Sequence, residues 1–152
     1  MIPDVKVPKP LLDFLSSHHV ATLATVSKDG VAHAATLYAF ADEHLTFYFL
    51  TKETTGKYKN IQENSNVALV ISDEHTLDTV QVEGVATEAS ELGFAETMAK
   101  FIEEYAKQGK WKELPINQIK EGHFKLFKVA PKWIRWTSFK EGENIIRFEH
   151  TF

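Results

Sequence analysis

The chain has 152 residues, 43% hydrophobic and 25% charged, with a formal net charge of -4 and no cysteine. These values describe an ordinary soluble globular domain, and no apolar run approaches the ~18 residues that a membrane span requires. Lack of cysteine excludes disulfides, a thiolate nucleophile and iron-sulfur clusters, and the negative charge argues against nucleic acid, which usually meets a basic face.

The length fits one domain, residues 1–152. Its start, Met1 to Lys6, has neither a basic nor an apolar targeting region, so the expected location is cytoplasmic. Pro8 and Pro10 precede Leu11, Leu12, Phe14 and Leu15, which predicts a short helix from near Pro10 to about His18, laid as a lid on a sheet. Val20 to Val26 and Val31 to Phe40 are rich in strand formers, and the Asp29-Gly30 turn between them predicts an antiparallel hairpin. A turn over Ala41 to His44 leads to a third strand, Leu45 to Thr51, before a helix that begins near Thr54 and ends by Asn64 or Asn66. Val67 to Ile71 and Asp78 to Ala89 read as two more strands, with Gly84 marking a bulge or a bend. Leu45 to Leu50 and Val67 to Ile71 alternate too little for one wet face, so both of their faces are expected to be covered, the outer one by a helix or a second subunit. From Ser90, the residues Phe94, Met98, Phe101, Ile102 and Tyr105 fall at helical spacing, with Ser90 as N-cap and Gly109 as stop. Trp111 and Pro115 read as a loop, Phe124 to Val129 and Trp133 to Phe139 as strands parted by Pro131, and Ile145 to Phe148 as a last strand. Strands joined by short turns with helices as plugs predict a mainly β, α+β fold: an antiparallel Greek-key barrel.

One segment carries chemistry. Phe47 to Leu50 delivers Thr51, Thr54, Thr55 and Lys57 to the start of a helix, where N-H groups and hydroxyls can seat a phosphate. A lysine in a helix's first turn is unfavourable by about 0.3 to 1 kcal/mol unless an anion is near, with Glu53 a partial remedy. The alternative is an N-cap threonine beside a solvated lysine.

Three stretches resemble the flavin-binding split barrels related to pyridoxamine 5'-phosphate oxidase. They are Val20 to Thr25 with Asp29-Gly30 and Ala32 to Tyr38, then Phe49 to Thr51 with Thr54 to Lys57 and Asn60-Ile61, and Val80 to Ala86. The resemblance implies an FMN-binding split barrel that dimerises, with the cofactor site at the subunit interface. It places the strand with His33, Ala34, Ala35, Thr36 and Leu37 along the flavin ring, Thr55 and Lys57 at the phosphate with Leu50, Thr51 and Thr54 as neighbouring cofactor-binding residues, and Gln81 as a contact from the other subunit. Gly56 and Ala35 stand where the family often has arginines, which removes two phosphate contacts. The chain ends Arg147-Phe148-Glu149-His150-Thr151-Phe152, without the oxidase's Arg-Leu-x-Pro signature, so pyridoxal phosphate synthesis is not expected.

The implied function is that of a homodimeric flavoprotein, a candidate oxidoreductase acting on a small molecule. The alternative is a non-catalytic binder of flavin, haem or deazaflavin, or a stress-related sensor, on the same barrel. Seven histidines show no metal-ligand spacing, and no nucleophile elbow or obligatory acid or base is present. Trp111, Trp133 and Trp136 read as packing residues before ligand shields.

Overall fold

Residues 5–107, 109 and 123–152 are described by the computed structural model. They form α1 (Lys9–Ser17), β1 (Val20–Val26), β2 (Ala32–Ala41), β3 (Phe47–Lys52), α2 (Gly56–Glu63), β4 (Asn66–Ser72), β5 (Asp78–Glu88), α3 (Glu91–Lys107), β6 (Phe124–Lys140) and β7 (Glu143–Thr151). Strand order is β3-β2-β1-β4-β5-β6-β7, and a further β3–β6 pairing closes the first six into a barrel with β7 outside on β6. Each pairing is antiparallel. The fourth strand returns beside the first, which is the Greek-key arrangement expected.

Local chemistry sets the turns. At the β1–β2 hairpin the Gly30 N-H donates to the Ser27 carbonyl at 3.0 Å, with Gly30 at φ 82, where a side chain would be strained. Asp42 builds the next turn by accepting from the His44 and Thr46 N-H groups, each at 2.9 Å. That turn takes Leu45 at φ 65, so β3 starts at Phe47 and not at Leu45 as the composition suggests, although the Leu45 side chain is fully buried.

Alternation then fills the interior. Leu23, Leu69, Val80, Val82, Phe47, Phe49 and Ile134 point inward and are buried, and α1 plugs the barrel with Leu11, Phe14 and Leu15. Each such large side chain contributes about 1.5 to 3 kcal/mol of burial. Outside, α3 covers β2, β3 and β6 through Phe94, Met98 and Phe101, which pack on Phe40, Tyr48, Leu50 and Leu126. Ser90 starts α3 as expected, its Oγ accepting from the Gly93 N-H at 3.1 Å. Ile102 departs from the predicted stripe: it is 42% exposed, since one residue beyond Phe101 the helix has already turned away from the barrel. The Tyr105 side chain, Trp111 and Pro115 lie outside what is described.

The two strands predicted around Pro131 are one, a 17-residue β6. Its first half pairs with β3 and its second with β7, while β5 runs along both. Pro131 faces Gly84 at a register shift, and a bulge tolerates a residue without an N-H. A Cβ on Gly84 would lie 2.5 Å from the Ala130 carbonyl oxygen, so only glycine permits this approach.

His18 fastens α1 to the β4–β5 turn, with Nε2 2.6 Å from Asp73 Oδ2 and Nδ1 2.8 Å from the Phe14 carbonyl oxygen. The His18 hydrogen bond, followed by those from the His75 and Thr76 N-H groups, lowers the Asp73 carboxyl from 3.8 to about 2. A carboxyl depressed by folding stabilises above its unfolded value and ceases to do so as pH falls through the folded one. Wild type should therefore lose stability between about pH 4 and pH 2 more steeply than Asp73→Asn, as followed by thermal melts across that range. Parallel profiles for the two proteins would refute the fastening.

Candidate functional site: the split between two strands

Over Ala39 to Ala41, β2 pairs with β3 at Phe49 to Phe47, and then the two part. β3 continues along β6, whereas β2 keeps only β1 as a neighbour from Ala32 to Tyr38 among the described residues. The Ala39 N-H donates to the His19 carbonyl at 2.7 Å. By antiparallel alternation, odd residues of β2 turn their backbone groups to β1, and Ala34 and Thr36 turn theirs to the open side. Side chains divide likewise: His33, Ala35 and Leu37 share the face of buried Ala39, and Ala34, Thr36 and Tyr38 share that of Phe40.

α2 lies where the strands part, packed on β1 and β3. Asn60 Nδ2 donates to Thr25 Oγ1 at 3.0 Å, and Thr25 faces His33 across the hairpin. This bond ties the helix to the strand pair that flanks the opening. Ile61 is the helix's buried anchor, and Tyr58 meets the Phe127 ring edge-on at 5.8 Å.

The N-cap alternative for Thr55 is realised. Its Oγ1 accepts from the Tyr58 N-H at 3.3 Å, donates to the Lys52 carbonyl at 2.9 Å and lies 2.9 Å from Thr51 Oγ1. A hydroxyl has one proton, so a phosphate contact from this side chain requires it to leave the Lys52 carbonyl. Thr51 is buried at the base of this cap and Thr54 is exposed. Leu50 turns the other way, into the cluster under α3. Among the described residues, the Lys57 side chain is half-buried and makes no hydrogen bond or ion pair. Glu53, expected to offset it, is instead 3.3 Å from Lys125 Nζ, and this bond raises the Lys125 ammonium's pKa. The Lys52 ammonium sits 5.5 Å over the Phe124 ring.

Gln81 is exposed in β5, far from the split. The registers run Thr36–Thr22–Val70–Gln81–Arg135 across the outer face of β2, β1, β4, β5 and β6. Three strand spacings, roughly 14 Å along the sheet, part Gln81 from Thr36. The face carrying them also exposes Val20, Tyr38 and Val70. β3 finds its outer cover in α3, as expected, but among the described residues β4 has none.

One group in this row escapes sequence reasoning. The Arg135 guanidinium lies 5.0 Å over the Trp133 ring, and Glu149 Oε1 accepts from both Arg135 Nη2 and Trp133 Nε1 at 2.9 Å. The Arg135 bond, then that of Trp133, lowers the Glu149 carboxyl's pKa. Trp136 is core, as expected, with 3% exposure. Among the described residues no three His, Asp or Glu side chains are grouped to hold a metal ion, and no helix is long and apolar enough to cross a membrane.

A UPF0306 protein of Campylobacter jejuni is 31% identical over 64 residues, which are 42% of this chain and 47% of that protein. The chain thus spans about half the length of the curated relatives it matches. Among solved structures, a heme binding protein from Mycobacterium smegmatis superposes with TM-score 0.66 and 15% identity over 97% of this chain and 59% of its own. An F420 reductase does so with TM-score 0.65 and 20% identity over 84% and 98%. At such identities these two show the split-barrel fold alone. Residues 7–138 match the family model of pyridoxamine 5'-phosphate oxidase, a match over most of the chain, and the chain belongs to that family.

Proposed function

We propose that this chain, a single split-barrel domain over residues 1–152, is a homodimeric FMN-binding protein acting as an oxidoreductase on a small molecule. The observation that supports the proposal is the split itself: β2 leaves a backbone edge open, and α2, packed on β1 and β3, starts with Lys57, whose side chain makes no hydrogen bond or ion pair among the described residues. These residues fit a flat ring with a phosphate tail. Lys57 supplies charge, Thr54 a hydroxyl, and Gly56 and Lys57 the orphan N-H groups of the first turn. The backbone of Ala34 and Thr36 offers donors and acceptors to the ring edge, which do not depend on side-chain identity. The arginines replaced by Gly56 and Ala35 make the seat weaker than that of relatives that keep them.

The second protomer completes the site in this reading. Gln81 cannot reach its own chain's split, but a sheet-on-sheet dimer through the exposed outer face brings it to the partner's. Family members are typically dimeric, and a site shared between subunits links dimerisation to cofactor binding by mass action. FMN, when bound, supplies the hydride or electron exchange that no side chain here performs. The protein's part is to bind it, orient it and exclude water.

Lys57→Ala should weaken FMN binding by about 1 to 3 kcal/mol in a fluorescence titration, the worth of a charge-assisted phosphate contact. Unchanged affinity would remove Lys57 from the seat. A passive binder or stress-related sensor on the same barrel is the alternative, with haem or a deazaflavin as alternative ligands; the similarity to a heme binding protein and an F420 reductase motivates that choice. Anaerobic stopped-flow mixing with NADH or NADPH decides on turnover, since rapid bleaching of bound flavin excludes a passive role.

A further inference from the structure

Between the C-terminal half of α3, the β2–β3 turn and the end of α1 lies a cleft of about 490 Å³, a volume within the range of small-molecule sites. It is separate from the seat at α2. Tyr48, in the wall of the cleft, stands near the start of β3, roughly 13 Å along the strand from Lys52 at its other end.

The chemistry of the cleft is one-sided. Phe40 and Phe101 stack with ring centroids 4.0 Å apart, and Tyr48 meets Phe101 edge-on at 5.9 Å, which gives an aromatic floor. Tyr48 Oη donates to Asp42 Oδ2 at 3.1 Å. Burial, and then the Asp42 charge, push this phenol's pKa up to about 12, so its proton stays on Asp42 and only its lone pairs remain for a ligand. Around the rim, the carboxylates of Asp42, Glu43, Glu103 and Glu104 outnumber the ammonium groups of Lys100 and Lys107. Lys107 is already engaged, at 3.2 Å from Glu103 and 3.9 Å from Glu104. Lys100 is exposed, and its flexible stem lets the ammonium stay in water.

We propose that this cleft binds a small organic amine, its ammonium held by the Tyr48 hydroxyl and the rim carboxylates and its flat apolar body laid on Phe40 and Phe101. Acceptors and negative charge above aromatic rings suit a cation, which the rings themselves also attract. An anion of the same shape meets the reverse: excess carboxylate repels it, and Tyr48 has no proton to give. Neither Lys57 nor a bound flavin takes part.

Calorimetric titration of the full chain with 2-phenylethylamine and with 3-phenylpropionate tests this, since the two share ring and linker and differ in charge. The amine should bind with a Kd of about 1 mM or tighter, and the acid about tenfold more weakly or worse. Glu43→Gln combined with Glu104→Gln should weaken the amine about fivefold. Thr97→Trp, which fills the cleft from α3, should abolish amine binding in a protein that melts like the unmodified one. No binding of the amine at millimolar concentration, or an acid bound as well as the amine, overturns the proposal, and neither result needs a variant. So does amine affinity unchanged in a folded Thr97→Trp protein.

Discussion

Phe49→Ala is expected to lower the free energy of unfolding by about 3 to 5 kcal/mol, the usual cost of emptying a buried aromatic site. Phe49 is fully buried in β3 and stacks on Phe127 of β6 at 5.4 Å, and Phe127 in turn meets Tyr58 of α2. One chain of rings therefore fastens the β3–β6 pairing that closes the barrel and the helix that starts at the proposed seat. Neighbours on opposite strands of a closed barrel have little room to collapse into the cavity, which favours the upper end of the range. Equilibrium urea unfolding measures the effect, and a loss below about 1 kcal/mol would show that the site refills or is not central. Surviving protein should also bind FMN less tightly, since the support of α2 is loosened.

Thr22→Arg has the largest expected effect on assembly. Thr22 is exposed in the middle of the β2-β1-β4-β5 face, flanked by Thr36 and Val70, so an arginine there should leave the fold of one chain intact. In a dimer packed through this face it would bury an unpaired charge on each side of the twofold axis, at several kcal/mol per ion. The protein should run as a monomer by light scattering, and FMN affinity should fall by about two decades or more, each decade being 1.4 kcal/mol. A Thr22→Arg dimer that binds FMN as the unmodified protein does would place the interface elsewhere.

Features set by neighbouring residues were legible in the sequence. The Asp29-Gly30 turn, the Ser90 cap, the Gly84 bulge and the Greek-key order of strands depend on local backbone preference and on alternation. Features that depend on distant chain were not. Pro131 reads as a break until Gly84 is placed opposite it, and β6 then runs through. Leu45 reads as a strand residue until Asp42 is seen to bend the chain around it. The same limit applies to the site. The strand-to-helix turn was recognisable, but whether Thr55 serves as cap or phosphate ligand could not be decided from spacing, and the structure commits its hydroxyl to the cap. Leu50 stands beside Thr51 in sequence and faces α3 in space, because successive strand residues point to opposite faces. The Arg135 clamp left no signal at all, since Glu149 reaches it from the following strand.

The absorption spectrum of the freshly isolated protein separates a flavoprotein from the alternatives. The two near-ultraviolet and blue bands of bound flavin, released on denaturation, are expected, or their uptake from added FMN at micromolar concentration by protein that emerges empty. A Soret band in place of them, or a colourless protein that takes up no FMN, would rule out FMN as the ligand.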